Sequence, residues 1–279
     1  MPRFSIVTLN WNNLAGLQAT QRSLASQRHR DFRWIVVDGA SSDGSAEWLA
    51  QLDFAPLELL SERDKGIYDA MAKGRAMAVE TSGYTLFLGS GDCLADSGVL
   101  ERVAAAIEAA AMPPALVYGD FQRSLGAHRR VDLIPARPLE WLPLGVPTAL
   151  QSMYFENSRL ASITFRPQYK LSANYCLLIE FLEGLDHRTN TLRLRSSLSQ
   201  IDRSGVSQQR RFDALKEDMQ IRLRFLALPW PRVLALYLLH YIHAHAKLAW
   251  VSLGLAPSRI DRMIASRVVL RHLLKRDGP

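Results

Sequence analysis

Short apolar runs alternate with helical patterns along the first 120 residues of the chain. The apolar runs predict five strands, at residues 4–9, 34–37, 57–60, 84–88 and 115–118. Between them, apolar residues recur at the spacing of amphipathic helices, most clearly from Ile67 to Ala78. Strands and helices that alternate at such short intervals predict an α/β domain with a mostly parallel sheet flanked by helices.

Other helices are predicted from leucine spacing and from hydroxyl residues that favour helix starts. Leu14, Leu17 and Leu24 recur at roughly helical spacing after the first strand. Ser45 is a plausible N-cap for a helix through Trp48 and Leu49, and Ser97 for one over residues 99–110, because Ser side chains accept hydrogen bonds from free helix N–H groups.

Polar side chains follow each predicted strand. They are Thr8 and Asn10, then Asp38 and Asp43, then Asp64 and Lys65, then Ser90 and Asp92, and finally Asp120. In open α/β sheets, ligands bind beyond the carboxyl ends of the strands. Turn composition explains one such cluster, but five at corresponding positions indicate a binding site along one edge of the sheet.

The fourth strand ends in Gly89-Ser90-Gly91-Asp92, where small residues surround one carboxylate. A hard oxygen ligand in this setting suits Mg²⁺ or Mn²⁺ held jointly by a carboxylate and substrate phosphates. The same four residues, taken alone, also fit an ordinary turn.

Several classes of protein are disfavoured by missing motifs. No G-x-G-x-x-G follows the first strand, and no G-x-x-x-x-G-K-[ST] occurs, so a dinucleotide site or a phosphate-loop NTPase is not expected. Two cysteines, Cys93 and Cys176, form neither a disulfide framework nor a C-x-x-C pair, which indicates a reducing compartment without a zinc site. Because the chain leads directly into a strand, we expect no signal peptide and a cytoplasmic protein.

The formal charge of +7 over 279 residues is unevenly placed. Residues 201–279 hold 14 Lys or Arg against 6 Asp or Glu, whereas residues 1–200 hold 20 against 21. This balance argues against a nucleic-acid-binding main domain. It favours a C-terminal region that meets an anionic surface, formed by lipid headgroups or by another protein.

The C-terminal region contains two candidate helices. Residues 225–255 are apolar but carry His240, His243, His245 and Lys247, so this segment is expected to pack on the core or lie in a membrane interface rather than span a bilayer. Residues 259–276 alternate basic and apolar residues, which suits either anionic lipid or a solvated basic helix face.

Four stretches of the chain together carry a family resemblance. They are Ser5–Thr8 with Asn10, Val37–Gly39 with Ser41–Ser45, Ser61-Glu62 with Asp64–Met71 and Lys73-Gly74, and Phe87-Leu88 with Gly91-Asp92. Over residues 4–210 the chain resembles the inverting family 2 nucleotide-sugar glycosyltransferases of bacterial polysaccharide assembly, which have the GT-A fold. The closest likeness is to the colanic-acid and exopolysaccharide transferases.

The resemblance implies a sugar transfer, with inversion, from a nucleotide-diphosphate donor to a saccharide acceptor that is lipid-linked. It implies that Thr8 and Asn10 line the nucleotide pocket, that Asp38 contacts the base, that Asp64, Lys65 and Asp69 lie near the donor, and that Ser90-Gly91-Asp92 replaces the family's Asp-x-Asp, with Asp92 as the Mg²⁺ or Mn²⁺ ligand. The expected domains are a nucleotide-sugar half at 1–121, an acceptor half at 122–210 and a helical extension at 211–279.

The acceptor half departs from the family pattern. Leu150 stands where a His precedes Gln151, and Asn174 stands where the family offers an Asp as general base. A carboxamide cannot take the proton that the acceptor hydroxyl loses. Either Asp120 or Glu180 is the base, or Asn174 orients the acceptor while water or phosphate takes the proton, or the chain is a poor or inactive transferase.

Two further interpretations follow from the second half. Gly205–Ser207, with Arg203 and Arg210, resembles a segment that closes over the donor diphosphate, although a plain loop before a helix from Phe212 explains it equally. The departures at Ser90, Leu150 and Asn174 also leave open a non-catalytic subunit that binds nucleotide sugar or a partner transferase. The catalytic interpretation places the enzyme on the inner face of the cytoplasmic membrane.

Overall fold

A computed structural model describes residues 3–125, 130–166, 168–201 and 210–252. The strands are β1 (Phe4–Asn10), β2 (Phe32–Asp38), β3 (Leu57–Ser61), β4 (Tyr84–Phe87), β5 (Cys93–Leu94), β6 (Leu116–Leu125), β7 (Arg130–Ile134), β8 (Met153–Glu156) and β9 (Thr191–Ile201). The helices are α1 (Leu14–Ala25), α2 (Ser45–Gln51), α3 (Ile67–Ala78), α4 (Val99–Ala109), α5 (Asn157–Ala161), α6 (Ala173–Leu182), α7 (Arg211–Phe225) and α8 (Trp230–Ser252). The interpretations of Gly205–Ser207 and of residues 259–276 lie outside the described residues.

Four parallel strands form the first half of the sheet, in the order β3-β2-β1-β4. Every residue of β2 is buried, as expected for a parallel strand covered on both faces. Helix α3 packs on β1 and β2, and a Cβ at Gly74 would lie 2.3 Å from Cγ1 of Val7. Gly74 therefore lets the helix backbone approach the sheet directly.

The second half of the sheet is mixed. Strand β8 pairs antiparallel with β4 and with β6, so β6 runs in the same direction as β4. Strand β9 pairs parallel with β6, and the pairing shifts on both sides of Asp120. Met153 lies opposite Tyr118, which puts Gln151 and Asp120 at the height of the turn after β4.

The predicted α/β fold is confirmed, and the strand and helix predictions in the first 110 residues agree with the structure to within a few residues. Two predicted caps are wrong. Gly44 precedes α2, and the Ser45 hydroxyl donates to Asp43 Oδ1 at 2.6 Å instead. Gly98 precedes α4, and Asp96 Oδ1 accepts a hydrogen bond from the N–H of Gly98 at 2.8 Å. The fifth strand, β6, also continues to Leu125, well beyond the predicted Tyr118.

The chain divides into two compact units. The first contains residues 1–137, 148–168 and 180–204, and the second contains residues 138–147, 169–179 and 205–279. The first unit holds the sheet, and α7 and α8 belong to the second. The domain boundaries expected from the sequence remain predictions. Among the described helices, none has the length and apolarity needed to cross a bilayer.

Candidate functional site

The carboxyl ends of β1, β2 and β3 are joined by one buried carboxylate. In the sheet register Asn10 lies opposite Asp38, and Asp38 lies opposite Ser61. The Asp38 carboxylate accepts hydrogen bonds from Asn10 Nδ2 at 2.8 Å, from Ser41 Oγ at 2.6 Å and N at 2.9 Å, and from Ser61 Oγ at 3.0 Å. Burial raises the pKa of Asp38, but these bonds outweigh it and hold the pKa below its usual value.

Both oxygens of the Asp38 carboxylate therefore accept hydrogen bonds from neighbouring residues. It fixes the relative positions of three strand ends, and it stays ionised while doing so. The sequence-based assignment of this carboxylate to the nucleobase remains a prediction, because in this structure the side chain is buried and turned to its neighbours.

The loops after β1 and β2 are joined by further hydrogen bonds. Ser41 Oγ accepts from Asn12 N at 2.8 Å, and Asn12 Oδ1 accepts from Ser42 N at 2.8 Å. Asp43 Oδ2 accepts from Leu14 N at 2.8 Å, at the start of α1. Bonds from Ser45, chiefly from its hydroxyl, lower the pKa of Asp43. Asp43 thus links the loop after β2 to the start of α1.

The Gly89–Asp92 turn is held from α1. Thr20 Oγ1 accepts from Gly91 N at 3.0 Å and donates to Asp92 O at 2.8 Å. Asn13 Nδ2 donates to Ser90 O at 3.0 Å and lies 3.2 Å from Ser90 Oγ. Gly91 has φ of 97°, a conformation that side chains with a Cβ rarely adopt. The backbone carrying Asp92 is thereby fixed on two sides.

The Asp92 carboxylate is oriented from the other half of the sheet. Gln151 Nε2 donates to Asp92 Oδ2 at 2.8 Å. Within the described part of the chain, no three His, Cys, Asp or Glu side chains cluster in a way that could hold a metal alone. A single half-buried carboxylate beyond a strand end still fits Mg²⁺ or Mn²⁺, since such cations take few protein ligands when substrate phosphates supply the rest.

Asp120 lies at the same edge of the sheet as Asp92. Its backbone oxygen accepts from Ser152 Oγ at 3.1 Å, directly beside the Gln151 that binds Asp92. Its Oδ1 accepts from Ala136 N at 2.7 Å, and the residue is 9% exposed. The register of the sheet therefore places Asp92 and Asp120, which are 28 residues apart in the sequence, at a similar height.

Trp11 and Asp64 flank the end of β2. A Cβ built at Gly39 would lie 2.7 Å from Asp64 Oδ2 and 3.3 Å from Trp11 Cδ1, so these side chains close over the glycine. Trp11 is 72% exposed. The sequence reasoning did not single out Trp11, although an aromatic residue in a polar loop directly after the first strand was a usable signal.

Lys65 and Asp69 lie on either side of the start of α3, which begins at Ile67. Asp64 Oδ1 accepts from Gly66 N at 2.8 Å, and Asp69 Oδ2 accepts from Lys65 N at 3.0 Å. The bond from Lys65 N is the main reason that the pKa of Asp69 is lowered. Asp69 also pairs with Lys73 at 3.4 Å, so this carboxylate organises its own helix start.

Thr8 and Asn174 were also expected at the site. Thr8 is fully buried, and its hydroxyl accepts from Trp34 Nε1 at 2.9 Å, so its side chain supports the core beneath the strand ends. Asn174 lies on the part of α6 that belongs to the second unit, and its Oδ1 has no hydrogen-bond partner among the described residues.

Glu180 lies near the opposite end of the sheet. It pairs with Arg166 at 2.5 Å and lines a cavity of about 300 Å³ together with Arg159. Arg159 lies three residues after Glu156, and Glu156 pairs with Tyr84, the first residue of β4. Asp92 lies beyond the other end of that strand, so the assignment of Glu180 as a base beside Asp92 does not fit the structure.

The comparisons with known proteins bear directly on this edge of the sheet. The sequence profile described as "Glycosyl transferase family 2" matches residues 5–158, which is more than half of the chain and includes β1–β4 and Asp120. The chain belongs to glycosyl transferase family 2. Its sheet and flanking helices have the GT-A fold of solved glycosyltransferases.

Relatives at higher identity match only part of the chain. A "PGL/p-HBAD biosynthesis glycosyltransferase" of Mycobacterium bovis is 40% identical over 124 residues, which cover 43% of this chain and 46% of the relative. The match thus spans about half the length of that relative. The family model covers the part of the chain that carries the strand-end residues.

Two solved structures resemble the family 2 chain over most of its length. Staphylococcus aureus TarS, in complex with UDP-GlcNAc, has a TM-score of 0.63 at 14% identity, covering 85% of this chain and 71% of TarS. The Pyrobaculum calidifontis mannosyltransferase PcManGT, in complex with GDP-Man and Mn²⁺, has a TM-score of 0.59 at 15% identity, covering 96% and 80%. At these identities the likeness shows the fold alone.

Proposed function

We propose that this family 2 chain is an inverting glycosyltransferase that moves a sugar from a nucleoside-diphosphate donor to a saccharide acceptor. The observation that carries the proposal is the position of Asp92 and Asp120 at one edge of the sheet, connected through the Gln151-Ser152 segment. Asp92 would hold a divalent cation beside the donor diphosphate, and Asp120 would serve as a base for an acceptor hydroxyl.

The donor would lie along the ends of β1, β2 and β4. The exposed Trp11 ring offers a stacking face for a nucleobase. Asp92 would hold Mg²⁺ or Mn²⁺, which supplies charge neutralisation for the leaving diphosphate when bound. The structure of PcManGT with GDP-Man and Mn²⁺ supports this choice by fold similarity.

Asp120 is our choice for the general base. The acceptor hydroxyl attacks the anomeric carbon opposite the diphosphate, the bond to the diphosphate breaks, and the hydroxyl proton passes to a carboxylate. Asn174 lacks that capacity, and Glu180 lies near the other end of the sheet in an ion pair with Arg166. The hydrogen bond from Ala136 N would keep the Asp120 carboxylate in place through the reaction.

The acceptor and cellular setting belong to the same proposal. We propose a lipid-linked saccharide acceptor in bacterial cell-surface glycan synthesis, of the exopolysaccharide type that the sequence motifs resemble. The relative named for PGL/p-HBAD biosynthesis is compatible with a role in surface glycoconjugates. The basic balance of residues 201–279 supports a location at the inner face of the cytoplasmic membrane.

Binding and turnover can be tested separately. We expect UDP or GDP to raise the melting temperature, and Mn²⁺ to increase that shift, because a ligand that binds only the native state stabilises it. Radiolabelled donor sugars with a bacterial lipid extract should then yield a labelled lipid product. Nucleotide binding without any product over a panel of donors would favour a non-catalytic subunit.

Asp120→Asn tests the base. Asn retains an oxygen for the N–H of Ala136, so the variant should fold and bind nucleotide normally while kcat falls roughly a hundredfold or more. Glu180→Gln is the matched control and should retain turnover. If Asp120→Asn retains full kcat while Glu180→Gln loses it, the assignment of Asp120 is wrong.

A further inference from the structure

The outer side of α8 is apolar. Its exposed large side chains include Trp230 at 64%, Leu238 at 47%, Tyr241 at 38% and Ile242 at 64% exposure. On a helix of 3.6 residues per turn, these four lie within a stripe of about 120°. Between residues 230 and 246 that stripe contains no Lys, Arg, Asp or Glu, and its exposed His245 packs with Tyr241 against the ring of Phe212 on α7. Surface helices ordinarily present polar residues to water on this side.

The inner side of the same helix carries a polar group. Val233, Leu236 and Ala244 are buried on that side, and His240 Nδ1 lies 3.5 Å from Nη2 of the fully buried Arg222. The helix therefore has hydrophobic residues on both its inner and its outer side, and the polar contact between His240 and Arg222 lies on the inner side. This pattern indicates that the outer side meets something other than water.

The sequence around α8 is basic. Residues 210–252 hold seven Lys or Arg against three Asp or Glu, and the chain beyond residue 252 adds six against two. An apolar helix face with aromatic residues in a basic setting is typical of helices that lie in the interface of an anionic membrane.

Two other occupants are less suited to this face. From Trp230 to Ile242 the stripe is about 20 Å long and about 10 Å wide, or about 200 Å², whereas a stable dimer needs about 800 Å² from each partner. The segment after residue 252 carries the same sign of charge as residues 210–252, so its docking here would be opposed electrostatically.

We propose that the outer face of α8, formed by Trp230, Leu238, Tyr241 and Ile242, inserts into the headgroup region of an anionic lipid bilayer. The inference rests on the proposed membrane location and specifies which surface produces it. Trp230 and Tyr241 place rings at the level of the headgroups, while Leu238 and Ile242 reach the acyl boundary.

The experiment uses the full-length chain and vesicles of phosphatidylcholine with or without phosphatidylglycerol. We expect cosedimentation with the phosphatidylglycerol vesicles, weakened by salt. The double variant Leu238→Ser with Ile242→Ser should bind at least tenfold more weakly, because each buried aliphatic side chain contributes substantially to partitioning. The matched control, Val131→Ser with Leu133→Ser, removes two exposed aliphatic residues from β7 and should bind like the wild type.

A second readout places the helix directly. In a Trp11→Phe background, brominated lipid should quench fluorescence, and the further change Trp230→Phe should remove most of that quenching. Equal vesicle binding by the Leu238/Ile242 variant and the wild type would overturn the proposal. So would a variant that loses only self-association in sedimentation velocity, since a second copy would then be the occupant.

The outcome is separable from the proposed activity. Sugar transfer to a soluble acceptor analogue without vesicles does not require lipid binding and should be equal in the Leu238/Ile242 variant and the wild type. Failure of that transfer in the wild type would count against the proposed function alone. Absence of vesicle binding in the wild type would overturn both the proposed location and this surface.

Discussion

The strand ends and the α7–α8 pair each contain a carboxylate shielded from water, and the pKa values of the two shift in opposite directions. Asp38 is fully buried, whereas the Asp218 side chain is 21% exposed. At the strand ends Asp38 accepts four hydrogen bonds, which hold its pKa below its usual value despite burial. On α7, burial raises the pKa of Asp218, and the positive charge of Arg222 at 3.7 Å and a bond from Ser172 offset this only in part.

The two regions are therefore suited to different partners. Short donors from neighbouring loops surround the carboxylate at the strand ends, so the site is arranged around negative charge before any ligand binds. In the α7–α8 pair a polar contact is enclosed and the outer surface is apolar. The first region is suited to a charged small molecule, and the second to a partner that removes hydrophobic surface from water.

The largest effect is expected at Asp92. Asp92→Asn keeps an acceptor for Gln151 Nε2 but removes the charge, so we expect kcat to fall roughly a thousandfold and the Mn²⁺ enhancement of nucleotide binding to disappear. Asp213→Asn, at an exposed ion pair on α7, is the matched change in the other region and should retain activity. Comparable losses in both variants would erase the contrast between the regions.

Arg222→Met should have the largest effect on stability. Arg222 is fully buried, donates to Pro143 O at 2.8 Å and faces the ring of Tyr175 at 5.6 Å, so its loss leaves Asp218 and a carbonyl without their cation. We expect the free energy of unfolding to fall by about 3–5 kcal/mol. Urea denaturation measures it, and Arg224→Met, on the same helix but exposed, is the control. Equal midpoints would show that the buried cation contributes nothing.

Thr20→Val tests the support of the Asp92 turn. The hydroxyl bonds both Gly91 N and Asp92 O, so the isosteric valine leaves two backbone groups unsatisfied. A loss of about 1–3 kcal/mol in unfolding free energy is expected, together with a lower kcat. Thr20→Ser restores the hydroxyl and should recover kcat. Recovery of stability without recovery of kcat would indicate that Thr20 does not position the turn.

The smallest effect is a pair of opposite pH dependences. The folded pKa of Asp38 is lowered, so its contribution to stability is present above the unfolded pKa and is lost as pH falls through the folded value. The folded pKa of Asp218 is raised, so its contribution grows as pH falls through that raised value toward the unfolded one.

Unfolding free energies of Asp38→Asn and Asp218→Asn, measured against the wild type from pH 3 to pH 7, should separate the two. The Asp38→Asn deficit should shrink with acidification below about pH 4, and Asp218→Asn should gain relative to the wild type toward neutral pH. Difference curves of the same sign would remove the distinction drawn between the two carboxylates.

The fold was largely predictable because local patterns specify it. The helix from Ile67 to Ala78 was predicted with its observed bounds, since apolar spacing and a preceding glycine both mark it. Caps were predicted less well. Near Asp43 and Asp96, the carboxylate and a neighbouring serine hydroxyl can both accept hydrogen bonds from the backbone N–H groups at the helix start. Spacing alone does not reveal which of the two accepts them.

The site was predictable only where strand order determines it. Asn10 and Asp38 end β1 and β2, and Asp92 comes shortly after β4, so the three lie at the ends of neighbouring parallel strands. Asp120 was also expected at this edge, but its position there depends on the antiparallel strand β8 between β4 and β6, which no local pattern showed. Glu180 and Thr8 were misplaced for a similar reason, because the sequence does not show which side or end of a sheet a residue will face.

Asn13 connects the site to the first helix through a single amide. Its Oδ1 caps α1 by accepting from Gly16 N at 3.2 Å, while its Nδ2 donates to the carbonyl of Ser90. Any ligand that steadies the Ser90 backbone therefore also restrains the first turn of that helix. Slowed amide hydrogen exchange should spread from the loop after β4 into α1, a segment that need not touch the ligand at all.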